Sequence, residues 1–245
     1  MHEAVLITGA AGGIGQALCD QFSAAGYFVV ATDLAPAPKL GDAYIPCNLA
    51  ELPSQPANQA RFIEALTAAL EQRPLAACVN NAAVQRLAPT ADILDEDFET
   101  TFRVNVFAPL VLVRMLLPLL ERAHGSVVNI GSIHASATKP GFVSYATSKA
   151  ALRGLTQALA VDLGGRVRVN VIEPAAIATD MLMAGFEQNS DGYRQLQDFH
   201  PAGRIGEPRE VARLAVSLAS RELPFLTGTV IGLDGGIAAR LHDPA

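Results

Sequence analysis

The sequence predicts an α/β domain, a doubly wound parallel sheet of about seven strands with helices on both faces. Three observations carry that prediction. Apolar strand-like runs alternate with helical patterns along all 245 residues. A glycine-rich turn joins the first strand to the first helix. No repeat, low-complexity tract or linker interrupts the alternation, so residues 1–245 read as one domain. Half of the residues are hydrophobic and 17% are charged, enough apolar material for a large core and a poor composition for disorder.

The first strand is AVLITG. After it, Ile14, Leu18, Phe22 and Ala25 recur at steps of four, four and three, which is one helix face, and Gly26 stops the helix. YFVVATD and AYIPC are the next strands. The connection between them, Asp33 to Ala43, holds Pro36, Pro38 and Gly41; it is too short and broken for a crossover helix, so a loop is expected. A helix around Gln59 to Glu71 leads into the strand LAACVN, and a long helix from about Asp95 to Arg122 leads into GSVVNIGS. Another helix, from about Tyr145 to Leu163, precedes RVRVNVIEP. An irregular stretch, a helix near Pro208 to Ala219 and the strand GTVIGLDGG complete the pattern.

Charge narrows the partners. Eighteen Lys and Arg against 24 Asp and Glu give a net charge of −6 without long blocks, which disfavours nucleic acid and anionic membrane. The most apolar run, Val104 to Leu120, is broken by Asn105, Arg114 and two prolines, and reads as a buried helix rather than a bilayer span. MHEAVLITGA has neither a basic leader nor a cleavable apolar segment. Cys19, Cys47 and Cys78 fall inside apparent helices and strands with no metal-ligand spacing, so reduced thiols, no metal site and a cytoplasmic location are expected.

The first strand runs into Thr8-Gly9-Ala10-Ala11-Gly12-Gly13-Ile14-Gly15 and then a helix. Gly9 permits a tight turn, Gly13 lets backbone approach a pyrophosphate, and Gly15 lets helix and strand pack closely. The helix N-terminus offers free N–H groups to phosphate. A tight turn with no ligand also uses glycine; the placement between strand and amphipathic helix favours the dinucleotide. The next strand ends at Asp33, 18 residues past Gly15, where a carboxylate accepts from ribose hydroxyls and repels a 2′-phosphate. Leu34, Ala10 and Ala11 offer no cation, which favours NAD(H) over NADP(H).

Tyr145 and Lys149 stand four apart at a helix start and so share one face. A free phenol has a pKa near ~10, and a neighbouring cation is expected to lower it. Thirteen residues upstream Ser132 ends a strand, on the side where a parallel sheet meets its ligand. Asn105 sits in a helix four residues before Pro109, which has no N–H to return to its carbonyl; a kink and a free carbonyl that can hold water are expected. Each feature has a plainer reading, as a helix start, a strand-end serine or a packing kink.

Together the residues resemble the short-chain dehydrogenase/reductase family over essentially the whole chain. The resemblance rests on Thr8 to Gly15, Asp33, NNAA at Asn80 to Ala83, Asn105, Ser132, YATSK at Tyr145 to Lys149, Asn170, Pro174 with Thr179, and GLDGG at Gly232 to Gly236. It implies a Rossmann-like fold and an enzyme that interconverts an alcohol and a carbonyl with NAD(H). Tyr145 would exchange the proton, Ser132 would bond the substrate oxygen, Lys149 would serve the tyrosine and the nicotinamide ribose, and Asn105 would hold a relay water. Gly9, Gly13, Ile14, Gly15, Asp33, Asn48, Leu49, Asn81 and Ala82 would line the adenosine and phosphate side. Pro174, Ile177 and Thr179 would meet the nicotinamide, and Asn80 would be more structural. Asn48 replaces the usual Asp beside the adenine, and Ala83 and Ala175 replace usual glycines, which narrows the pocket slightly.

The resemblance also implies a homotetramer paired through the apolar helices Val106 to Leu120 and Ala150 to Leu163, and a substrate lid over about 180–204. That lid offers Met181, Leu182, Met183, Phe186, Tyr193, Leu196 and Phe199 as lining, or simply a packed helix pair. Gln85 and His134 match residues that hold the carboxylate in 3-hydroxybutyrate dehydrogenases; Phe142 stands near the place of a lysine those enzymes add. Lys139, Arg86 or Arg194 is left to supply a charge. A small polar hydroxy compound, a hydroxy acid or a sugar-derived alcohol or acid, is the expected substrate. Rival readings are an NADP(H)-dependent carbonyl reductase and a non-catalytic dinucleotide sensor; enoyl reductases of the family usually space Tyr and Lys further apart.

Overall fold

The computed structural model describes residues 2–34, 40–184, 186 and 189–241. Its sheet has seven parallel strands in the order β3-β2-β1-β4-β5-β6-β7. They are β1 (Ala4–Thr8), β2 (Phe28–Asp33), β3 (Ala43–Pro46), β4 (Leu75–Asn80), β5 (Ser126–Ile130), β6 (Arg168–Pro174) and β7 (Val230–Leu233). The helices are α1 (Gly13–Ala24), α2 (Pro56–Leu70), α3 (Asp95–Phe102), α4 (Ala108–Arg122), α5 (Val143–Leu163), α6 (Asp180–Ala184), α7 (Ser190–Phe199) and α8 (Pro208–Ala219).

Strand alternation divides the core into two layers. Val5 and Ile7 of β1 pack with Leu18 and Phe22 of α1 and Val211 and Ala215 of α8. Ala4 and Leu6 face the other way, with Phe62 and Leu66 of α2 and Leu112, Leu116 and Leu120 of α4. Successive side chains of a strand point to opposite faces, so a strand buried on both sides reads as a continuous apolar run. Each fully buried Leu or Phe contributes about 1.5–3 kcal/mol before entropy is subtracted. Between β3 and β4 the chain crosses from the sheet edge to the far side of β1. Strand order therefore reverses between β1 and β4, and the loops after them open a crevice there.

The long helix is continuous from Asp95 to Arg122. Residues Arg103–Phe107 form one wide π turn, with the Ala108 N–H bonded back to the Arg103 carbonyl. Pro109 lacks the N–H an α-turn would return to Asn105, and widening is the local solution. At 28 residues the helix is long and apolar enough to cross a membrane by length and composition, more than the 17-residue run suggested. Val111, Leu112, Leu116 and Leu120 instead lie in the core.

In the Asp33 to Ala43 connection, Leu34 and Leu40 to Asp42 are irregular, as expected. Gly41 has φ +67° and room for no side chain, since a Cβ would lie 2.6 Å from the Val29 carbonyl oxygen. Pro36 and Pro38 lie outside the described residues. Cys47 follows β3 rather than lying in it, and burial pushes the Cys19 and Cys47 thiols up to about 11 and Cys78 to about 12.

Candidate active site

Two walls face each other across the crevice. The first is the loop Gly9 to Gly12, which is built almost entirely of backbone. Gly9 has φ +64°, and a Cβ on it would lie 2.7 Å from the Ala82 Cα. On Gly15 a Cβ would fall 2.0 Å from the Gly9 carbonyl oxygen, so only glycine lets α1 begin this close to β1. Gly12 caps α1 with no side-chain bond, and its first turn holds no acidic residue; the free N–H groups point to an anion. Thr179 approaches Gly13, where a Cβ would lie 3.0 Å from the threonine methyl, and this brings the segment after β6 to the phosphate loop. Ile177 is buried and bridges to Gly206.

At the tip of β2, Asp33 accepts from the Ala11 N–H at 2.9 Å and from the Leu34 N–H at 2.6 Å. A carboxylate has about four acceptor positions, so two remain for hydroxyl donors. Asn48 is exposed, bonded to Glu51 and to the Ala50 N–H, with Leu49 buried behind it. The Asn81 side-chain amide donates to the Thr8 and Gly9 carbonyls and so ties the loops after β1 and β4 together. The Thr8 hydroxyl, not singled out in the sequence, accepts from the N–H groups of Asn81 and Ala82. Asn80 is structural as expected, donating to Asn129, which donates to Thr156 of α5. These residues fit a dinucleotide: a glycine cradle at a helix N-terminus, and a carboxylate at the next strand tip.

The second wall is built of buried side chains. Ser132 follows β5, and Tyr145 and Lys149 lie on the first turns of α5. Ser132 hydrogen-bonds Tyr145, and the Lys149 Nζ lies 5.5 Å from the phenol ring centroid. The lysine donates to the Ile130 carbonyl at 2.7 Å. Asn105 joins this wall through its amide, which the sequence did not reveal. It donates to the Val84 carbonyl and accepts from the Val84 N–H, a two-way clasp on the loop after β4, and it also donates to Ser148 at 2.9 Å.

Electrostatics correct one expectation. Burial raises the Tyr145 pKa, and the Ser132 hydrogen bond only partly offsets it; no lowering by Lys149 appears. Burial also lowers Lys149, to about 8, with the Glu173 charge opposing that fall. Sequence spacing placed the two groups correctly but carried no information on how dry their surroundings are. At neutral pH the phenol is therefore a protonated donor beside a charged amine.

Around the reacting groups, His134 stacks on Phe142 at 4.3 Å and meets Tyr145 edge-on at 5.8 Å. Its Nδ1 pairs with the Thr138 hydroxyl at 2.9 Å, and burial and Lys139 lower its pKa. The structure thus brings His134 and Phe142 to the site, whereas Gln85 is exposed. Of the candidate cations, the Lys139 ammonium lies over the Phe142 ring, 4.8 Å from its centroid, Arg86 pairs with Asp97, and Arg194 lies 4.0 Å from Asp191. In the lid region, Leu182, Phe186, Tyr193 and Leu196 are half-buried while Met183 and Phe199 are exposed; the Met181 side chain lies outside the described residues. Among the described residues no group of three or more His, Cys, Asp or Glu is placed to hold a metal.

Comparison with known proteins agrees with this geometry. A family model described as enoyl-(acyl carrier protein) reductase matches residues 9–238. A galactitol 2-dehydrogenase (L-tagatose-forming) from Cereibacter sphaeroides is 32% identical over 240 residues, covering 94% of this chain and 92% of its own. The ligand-free aldohexose dehydrogenase of Thermoplasma acidophilum superposes with a TM-score of 0.89 at 28% identity, over 100% of this chain and 97% of the other. A 3-oxoacyl (acyl-carrier-protein) reductase from Agrobacterium tumefaciens with NADP bound gives 0.85 at 27% identity, over 95% and 93%. The chain belongs to the short-chain dehydrogenase/reductase family, and is an oxidoreductase of alcohol and carbonyl groups that uses a nicotinamide dinucleotide.

Proposed function

We propose that this chain is an NAD(H)-dependent dehydrogenase that acts on a small polar hydroxy compound, a hydroxy acid or a sugar-derived alcohol or acid, as a cytoplasmic homotetramer. The observation that carries the cofactor choice is Asp33, a carboxylate fixed at the tip of β2 by two backbone N–H groups. A 2′-phosphate placed there meets like charge, while ribose hydroxyls meet an acceptor. The NADP-bound relative favours the alternative, an NADP(H)-dependent reductase, and Asp33 opposes it. The family model's description names enoyl reduction, which the four-residue spacing of Tyr145 and Lys149 opposes. A dinucleotide sensor has no need of the buried Ser132, Tyr145 and Lys149 together.

The chemistry follows from the second wall. Bound NAD(H) supplies or accepts the hydride at the substrate carbon. Tyr145 gives its Oη proton to the carbonyl oxygen in reduction and takes the hydroxyl proton in oxidation. Ser132 donates a hydrogen bond to the same oxygen, and the Lys149 ammonium stabilises phenolate once the proton has left. Asp33, the glycine loop, Ile177 and Thr179 hold and orient the dinucleotide. The polar character of the substrate is supported by His134 beside Tyr145, and by relatives described as galactitol and aldohexose dehydrogenases. The tetramer is supported by Phe107, Leu110 and Val161, exposed on or beside α4 and α5.

The test is kcat/KM with NADH and NADPH against a panel of hydroxy acids and polyols. NADH is expected to be better by about tenfold or more, a difference of ~1.4 kcal/mol. Asp33→Ala narrows the gap, chiefly by weakening NADH. A better kcat/KM with NADPH in the parent chain overturns the cofactor reading.

A further inference from the structure

Arg153 and Glu173 form an ion pair that the dehydrogenase chemistry above does not use. Glu173 lies in β6 beside its last residue and is 5% exposed. Arg153 Nε donates to Oε1 at 2.8 Å and its Nη2 donates to Oε2, a two-pronged clasp. Lys149 and Arg153 are four apart on α5, so one helix face presents both cations. Glu173 also packs under Gly131, where a Cβ would lie 2.9 Å from the glutamate Cγ. Gly131 stands between Ile130, whose carbonyl takes the Lys149 ammonium, and Ser132. The glutamate thus supports from behind the strand end that carries two parts of the site. Taking paired charges out of water is costly, so the pair is a weak device for stability alone.

We propose that Glu173, held by Arg153, is a positioning residue for Lys149 and supplies the counter-charge to the buried ammonium. Its charge acts on the lysine against the effect of burial. Other elements around Lys149 bring no comparable anion among the described residues. Tyr145 on α5 is a phenol with a raised pKa, Asn105 on the π turn is an amide, and His134 after β5 is driven toward neutral imidazole. On α3, Asp97 pairs with Arg86 and Glu99 with Arg103, while Asp95 and Glu96 are exposed.

The proposal rests on Lys149 belonging to the reacting site, but its test needs neither cofactor nor substrate. The chain has three lysines, Lys39, Lys139 and Lys149, so lysine 13Cε labelling reads each titration separately by NMR. Glu173→Gln is expected to lower the Lys149 midpoint by about one pH unit. Arg153→Met leaves the carboxylate to face Lys149 without its partner, and raises the midpoint. Arg153→Lys restores the parent value. A brace between α5 and β6 predicts instead that both variants leave the midpoint unmoved or shift it the same way, and either result overturns the proposal. If Glu173→Gln fails to fold, Arg153→Met decides alone, by a rise or by its absence. In turnover, the alkaline fall of carbonyl reduction moves with the midpoint, whereas a wrong choice of cofactor or substrate leaves the NMR titration intact.

Discussion

The two walls of the crevice are made of opposite materials. The phosphate loop acts through backbone N–H groups and through side chains it lacks; Gly9 and Gly15 exclude even one carbon. The catalytic wall acts through the side chains Ser132, Tyr145, Lys149 and Asn105, all buried or nearly so. On the first wall an added atom is harmful, because α1 has nowhere to move. On the second a removed atom ends the chemistry and can leave the fold untouched. Geometry limits one wall and protonation the other.

The sharpest break is Tyr145→Phe, which removes one oxygen. Turnover is expected to fall about 10²–10⁴-fold with NADH binding preserved, read by steady-state kinetics and NADH fluorescence. Near-normal turnover would remove the phenol from the mechanism. Gly15→Ala makes the opposite change, adding one carbon 2.0 Å from the Gly9 oxygen. Overpacking of this kind costs about 1–3 kcal/mol, or some 2–4 °C of melting temperature per kcal/mol, and dinucleotide affinity should fall with it. A variant with unchanged melting and affinity contradicts the close packing described.

Lys149→Met separates function from stability within the second wall. Burial depresses the folded-state lysine to about 8, while an unfolded lysine titrates near ~10.4. Between those values the unfolded chain binds more protons, so native stability rises with pH; below the window the full cost of the buried charge remains. The methionine variant is expected to be inactive yet more stable at pH 7, by at most ~3 kcal/mol, with the gain gone near pH 10.5. Thermal melts across that range check the sign, and a less stable variant at pH 7 refutes it. The smallest effects belong to the rim. His134→Ala and Gln85→Ala should raise KM for the polar substrate several-fold without altering NADH binding; with Gln85 exposed, its effect is the smaller. Rapid turnover of a bulky apolar substrate, untouched by either change, contradicts the polar reading.

The same contrast explains what could be read from sequence. Glycines at Gly9, Gly13 and Gly15, and strands such as LAACVN at Leu75–Asn80, are written in local pattern, as is the helix Pro208–Ala219. The partners of Asn105 are 21 and 43 residues away, and those of Asn81 are 72 and 73 away, so neither clasp has a local signature. The direction of the Tyr145 shift depended on how much of the fold closes over it, a sum of many contacts that no motif contains. Glu173 and Arg153 stand 20 residues apart, and no local pattern pairs them.

The π turn at Arg103–Phe107 gives one helix two phases. Before it, α3 is set against α5; after it, α4 is set against β4 and β5. A helix turns by about 100° per residue, so one residue fewer in this turn would rotate one half against the other by that angle. Either the Asn105 amide would leave Val84, or the apolar stripe of α4 would leave the sheet. In-frame gains and losses of a single codon, which surface loops absorb readily, are thus barred here. For an evolving chain this turn is a fixed punctuation mark: its length cannot change.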